Sequence, residues 1–442
     1  MRPANFTPDQ SPLPGITLPF LAAAPWFAVA AGLLLTWQGP AALTSRWSPA
    51  TLALTHLLTV GFMLQAMWGA LLQFACVVGG ARIWRAAASA RLAQALMLFG
   101  GIALPVALGT GNGSLLMAGA MPLSGGIVVA VASLLAGLWR SRAGLRAGGL
   151  LWPALLALTV TGGLGVLLVG ALGGRITILL PQVTDLHAAW GLGGWSLLLL
   201  IGVGTIAVPM LHLTARYPRW IAIGCAALVC GSLLAWSLLV MLPVALERAA
   251  ALAQVALAVA AGTFAAVMLQ LMRRARRPAR DASALYWWMA LTCMLLAAIA
   301  RCLMEWVPSL IPAAATLGLG ILVLVGVFVA AISGMMYKIV PFMLWLRLMR
   351  LHGARRAPGI ADIIPARAAR GQCLSFAYAL PLLLIAAFAP SLARAAGAAF
   401  CVSSLWLAVN VTRALWVHRE AFSALPSREV RHPAPADAQP RG

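Results

Sequence analysis

Twelve apolar runs, each close to twenty residues or longer, follow one another from Ile16 to Val417 with short arginine-bearing segments between them. No other feature limits the fold as much. About 20 apolar residues in a helix cross a bilayer core. Inside that core unpaired backbone groups are too costly, so only helices and closed barrels cross it. The runs are continuous rather than alternating, which selects helices. Spans are expected near Ile16 to Trp37, Ala50 to Gly80, Leu92 to Thr110, Leu115 to Trp139, Gly149 to Leu172 and Leu186 to Leu211. Six more are expected near Trp220 to Met241, Ala250 to Met272, Leu285 to Trp306, Ser309 to Trp345, Cys373 to Pro390 and Ala396 to Val417. A composition that is 62% hydrophobic and only 9% charged leaves no room for a soluble domain.

The net charge of +22 would suggest nucleic-acid binding in a soluble protein, but here the cations sit between apolar runs and act as topology signals. Alternate loops and the two tails collect 26 of the 31 Lys and Arg residues; the opposite side receives only Arg46, Arg175, Arg248, Arg301 and Arg394. This asymmetry puts both termini in the cytoplasm. The organisation expected is a cytoplasmic tail over 1–14, a twelve-helix membrane domain over 15–417 and a disordered cytoplasmic tail over 418–442. Met1 to Pro14 is polar and proline-rich, so no cleavable leader is expected. Almost all the basic residues are arginine, and alanine and glycine are heavily used, as in a GC-rich bacterial genome, and the bacterial inner membrane is the expected location. The loop from Arg347 to Arg370 either contacts anionic headgroups or only enforces topology.

Seven cysteines (Cys76, Cys225, Cys230, Cys293, Cys302, Cys373 and Cys401) form no CxxC pair and read as small core side chains. The methionines Met63, Met67, Met335, Met336 and Met343 read as packing, although thioethers also bind copper. Trp37, Trp84, Trp139, Trp306 and Trp416 mark membrane interfaces. Arg301 and Glu305 stand four apart and should pair on one helix face. Gln65 and Gln73 should join helices by hydrogen bonds.

Three spans share a pattern: Gly69 followed after seven residues by Cys76, Gly202 by Pro209 and Gly334 by Pro341. They are the second, sixth and tenth spans, four helices apart, so the chain reads as three four-helix units in a pseudo-threefold arrangement.

Twelve spans, both ends inside, threefold units and a histidine in Thr55-His56-Leu57 of the second span resemble the catalytic subunit of haem-copper oxidases and nitric oxide reductases. They equally resemble the related NnrS-type membrane proteins. The resemblance implies that His56 is an axial haem ligand and that His187, in Asp185-Leu186-His187 of the sixth span, is the position nearest a copper ligand. Read from the residues alone, each histidine is either a metal or haem ligand or a neutral imidazole hydrogen-bonded across helices. Asp185 is a candidate orienter of His187. His56 precedes its repeat glycine by thirteen residues and His187 by fifteen, about 200° apart on a helix, so the repeat does not make them equivalent.

The seventh and tenth spans carry no histidine, so a binuclear oxygen-reducing site cannot be assembled and terminal oxidase activity is not expected. His212, His352, His418 and His432 fall at cytoplasmic ends or in tails, where histidine is readily solvated. Three functions compete: a haem- or copper-binding protein serving respiratory-enzyme assembly or nitric oxide and metal stress, alongside respiratory-chain proteins; a secondary transporter; and a cofactor-free assembly partner. Acidic residues stand almost wholly outside the spans, which counts against ion-coupled transport.

Overall fold

The computed structural model of the protein describes residues 14–77, 83–140, 149–240, 247–275, 281–310, 312, 314–353 and 357–422. Among them, twelve helices are long and apolar enough to cross a membrane. They are α1 (Gly15–Leu43), α2 (Pro49–Val77), α3 (Ala86–Thr110), α4 (Gly113–Trp139), α5 (Leu151–Leu172) and α6 (Leu180–His212), then α7 (Arg219–Leu239), α8 (Arg248–Arg273), α9 (Ala282–Trp306), α10 (Ala315–His352), α11 (Ala366–Phe388) and α12 (Pro390–Val417). No strand occurs among the described residues, and the chain is an all-α multi-pass membrane protein. Two helix starts bear on the polar residues of the bundle. α6 begins at Leu180 rather than near Leu186, and α11 at Ala366 rather than Cys373, so His187 and Gln372 lie inside helices.

The threefold expectation is met in packing as well as in number. Within the units, α1 packs on α2, α5 on α6 and α9 on α10, while α3 pairs with α4, α7 with α8 and α11 with α12. Between units, α4 packs on α5, α8 on α9 and α12 on α1, so the last helix closes the ring onto the first. At that closure a Cβ added to Gly32 would lie 2.6 Å from the Cys401 backbone, and one on Gly397 would lie 2.6 Å from Thr36 N. Only glycine lets α1 and α12 approach this closely.

The same local device recurs in α2, α6 and α10. Each contains a π-helical stretch, over Leu57–Met63, Trp190–Leu197 and Leu322–Val329, and each stretch starts twelve residues before Gly69, Gly202 and Gly334 respectively. A second glycine stands eight residues before each of these, at Gly61, Gly194 and Gly326. In every unit this glycine faces the unit's first helix. An added Cβ would meet the Phe27 ring of α1 at 2.4 Å, Ala157 Cβ of α5 at 2.7 Å and Cys293 Sγ of α9 at 2.9 Å. The glycine pair draws two helices together, and the π stretch adds a residue to one turn, shifting every side chain beyond it around the helix.

α2 is the most enclosed helix, with 83% of its apolar core stretch buried, against 28% for α5. Trp68 of α2 and Trp195 of α6 lie with ring centroids 6.3 Å apart, and the π stretches of α2 and α10 touch, so the second helices of the units gather inside. Trp37, Trp84, Trp139, Trp306 and Trp416 are exposed near helix ends, as interface residues should be.

Two expectations about the ends of α6 and α12 need correction. Disorder is expected from His418 onward, yet Arg419–Phe422 form a helical turn, and His352, the last residue of α10, bonds Glu420 through Nε2 at 3.1 Å. His212, expected to be solvated, is buried at the end of α6 with neither ring nitrogen partnered. The N-terminal tail through residue 13, Arg82, Arg142, Arg146, most of the Arg273 to Arg280 cluster, Arg355, Arg356 and the tail from 423, including His432, lie outside the described residues.

Candidate metal centre

Both histidines of interest sit seven residues inside their helices, about 10 Å below the helix starts. α2 is started by Ser48, whose hydroxyl accepts from Thr51 N at 3.2 Å, and by Pro49 in the first turn. α6 is likewise started by Pro181. Two turns in, His56 and His187 face each other across the gap between the helices, with ring centroids 6.3 Å apart and planes 19° from parallel. Their unequal offsets from the repeat glycines are no obstacle to this meeting. Units arranged in a ring meet head to tail, so facing helices present different sides and equivalent positions would not oppose each other.

A backbone carbonyl orients each ring. His56 Nδ1 lies 2.8 Å from Leu52 O one turn earlier, and His187 Nδ1 lies 3.0 Å from Thr161 O on α5. A carbonyl only accepts, so Nδ1 of each ring carries the proton and donates it. The lone pair of each neutral imidazole is therefore on Nε2. Metal-ligating histidines are prepared in this way, with one nitrogen tied to a carbonyl and the other free to bind. Both rings are half-buried.

Span α5 supplies more than a carbonyl. Gly165 lies so close to His187 that an added Cβ would stand 3.2 Å from its Cε1, and a Cβ on Gly191, one turn past His187, would stand 3.2 Å from Thr161 Cγ2. Sequence reasoning passes over Thr161 and these glycines. The segment Thr161-Gly162-Gly163-Leu164-Gly165, dense in glycine within an apolar helix, is the available signal.

Other candidates do not join the pair. Asp185 does not orient His187: its carboxylate accepts from Arg46 at 2.6 Å, and the two residues stand about 200° apart on α6. The arginine also stacks on Trp47, its carbon 4.6 Å from the ring centroid. Met63, Met67, Met336 and Met343 are buried among apolar side chains, and the Met343 sulfur accepts from the Thr17 hydroxyl at 3.6 Å. Gln65 is fully buried with both amide atoms unpartnered, so it does not join helices as expected. Arg301 and Glu305 do pair, at 3.0 Å, and Arg301 also donates to Gln254 of α8. Among the described residues no group of three His, Cys, Asp or Glu is placed to hold a metal ion.

The third unit places aliphatic side chains, Leu319 and Ile321, at the offsets of the two histidines. Its polar feature lies toward the C-terminal end of α10. Gln372 Oε1 of α11 accepts from Tyr286 at 2.7 Å and Tyr337 at 3.1 Å, while its Nε2 donates to Ser403 O and Oγ, both at 3.1 Å. Asn410 Nδ2 donates to the Tyr337 hydroxyl at 2.9 Å. Beside this network Lys338 pairs with Asp281, the residue that caps α9. Burial alone would raise the Asp281 carboxyl, but the bonds from Lys338 and Ala284 N outweigh it and hold it below the usual carboxylate range. Neither a protein-family model nor a curated protein sequence matches the chain.

Proposed function

We propose that this is a haem-binding membrane protein in which His56 and His187 would hold the haem iron, with a fold of the haem-copper oxidase type but without its binuclear centre. The observation that carries the reading is the facing imidazole pair with both Nδ1 atoms tied to carbonyls.

The donor count favours haem over bare copper. A porphyrin brings four nitrogens of its own and needs one ligand on each face. A copper ion held by two imidazoles alone would lack the third and fourth donors of the usual sites. Held by both histidines, the group would supply one-electron chemistry, which suits electron delivery or respiratory-enzyme assembly better than oxygen reduction. Handling of nitric oxide or metal stress belongs to the same reading, with respiratory-chain proteins as partners. Its setting is the bacterial cytoplasmic membrane with both termini inside, on the strength of the arginine asymmetry. Ion-coupled transport gains no support from the carboxylates. Asp185, Asp281 and Glu305 are each committed to a cation at a helix end.

The test is the visible spectrum of protein purified in mild detergent from haem-replete cells. A Soret band that shifts on reduction is expected. His56→Ala and His187→Ala should each abolish the wild-type low-spin spectrum, and His352→Ala should leave it intact. Metal analysis of the same sample separates haem iron from copper. Colourless, metal-free protein from such cells overturns the reading.

A further inference from the structure

We infer that Gly165 and Gly191 are positioning residues: together they let α5 clamp the His187 ring, fixing its plane and its tautomer. The inference rests on the function proposed above only in what the clamp is for. The clamp itself consists of three contacts between α5 and α6. Thr161 O receives the Nδ1 proton at 3.0 Å. Gly165, one turn further along α5, presents bare backbone to the ring edge, where a Cβ would stand 3.2 Å from Cε1 and 3.7 Å from Nδ1. Gly191, one turn past His187 on α6, admits the Thr161 methyl, which a Cβ would meet at 3.2 Å. The Thr161 hydroxyl is not spare for this work, because it donates to Ala157 O at 2.7 Å within α5.

Contacts of 3.2 Å are tighter than ordinary packing, so a methyl group at either glycine must move something by a few tenths of an ångström. At Gly165 the thing that moves is the imidazole, and the carbonyl bond is what it moves away from. At Gly191 the thing that moves is Thr161, and its carbonyl moves with it. Both substitutions therefore act on the same hydrogen bond from opposite helices. Gly163, on the same segment, has no heavy atom within 4 Å of an added Cβ, so a methyl group there should be silent.

The first measurement needs no cofactor. The chain has six histidines, so nitrogen chemical shifts of 15N-histidine-labelled protein in detergent can be assigned by subtraction with His187→Ala. Wild type and Gly163→Ala should show His187 with the proton on Nδ1; Gly165→Ala and Gly191→Ala should show it mixed between the two nitrogens. Adding Thr161→Ser to Gly191→Ala removes the methyl that is pushed and should restore the wild-type state. Haem titration should follow the same order, with affinity lowered at least tenfold in each single glycine variant and recovered in the Gly191→Ala/Thr161→Ser pair. If Gly165→Ala does not accumulate, the Gly191 pair decides alone. A wild-type tautomer in both Gly165→Ala and Gly191→Ala, or no rescue by Thr161→Ser, overturns the clamp. A clamp seen by NMR in wild-type protein that takes up no haem overturns the proposed cofactor instead.

Discussion

Replacing Gln372 by Leu should destabilise the third unit far more than replacing Tyr286 by Phe, although both remove the same hydrogen bond. Gln372→Leu leaves the Tyr286 hydroxyl without an acceptor at a site where Tyr286 is wholly buried. It also removes the acceptor of Tyr337, which keeps only the bond it accepts from Asn410, and it frees the Ser403 hydroxyl. An orphaned buried polar group costs about 1–3 kcal/mol, so one full orphan and two partial ones amount to about 2–5 kcal/mol. Tyr286→Phe instead removes the hydroxyl with its need for a partner, and Gln372 keeps Tyr337 as a donor. Side-chain hydrogen bonds between membrane helices average only about 0.6 kcal/mol, so that variant should lose less than about 1 kcal/mol. Reversible unfolding in detergent with a chemical denaturant, followed by tryptophan fluorescence, measures both. If Tyr286→Phe costs as much as Gln372→Leu, or if Gln372→Leu lies within about 0.5 kcal/mol of wild type, the orphan argument is wrong.

Two further outcomes come from close packing and charge. Gly61→Ala puts a methyl 2.4 Å from the Phe27 ring and should cost about 1–3 kcal/mol in the same unfolding assay, with Phe27→Ala in the double variant less than additive; strict additivity would refute the contact. Asp281 is held below its ordinary value, so its contribution to stability is present above the unfolded carboxylate value of about 3.9 and is lost as pH falls through the lower folded value. Asp281→Asn should accordingly flatten the acid limb of stability against pH, and an unchanged acid limb would show that the Lys338 pair contributes nothing there.

The candidate site is only half legible in the chain. His56 and His187 stand out because an ionisable side chain inside an apolar run is costly and calls for a reason. The depth of His187 in α6 is not legible, because helix starts in apolar sequence carry weak signals and Leu180-Pro181 resembles a loop. Asp185 looks like the orienter of His187 only while nearness in sequence stands for nearness in space. Two residues along a helix turn a side chain to the far side, and a peptide carbonyl on another helix does the orienting instead. Main-chain carbonyls carry no residue identity, so no sequence pattern names them.

The sequence by itself determined that the chain crosses the bilayer twelve times and repeats in fours, because lipid accepts only long apolar helices and the repeat is written in glycines. Of the glycine pairs at 61 and 69, 194 and 202, and 326 and 334, the second members were legible as a repeat. What they do was not, since a glycine's role is set by what approaches it. Tertiary structure alone decided that α12 closes onto α1, that each second helix carries a π stretch, and that two histidines 131 positions apart meet at 6.3 Å. Apolar faces look alike to hydropathy, and which face meets which depends on van der Waals contact summed over whole helices, a quantity that exists only once the bundle has assembled.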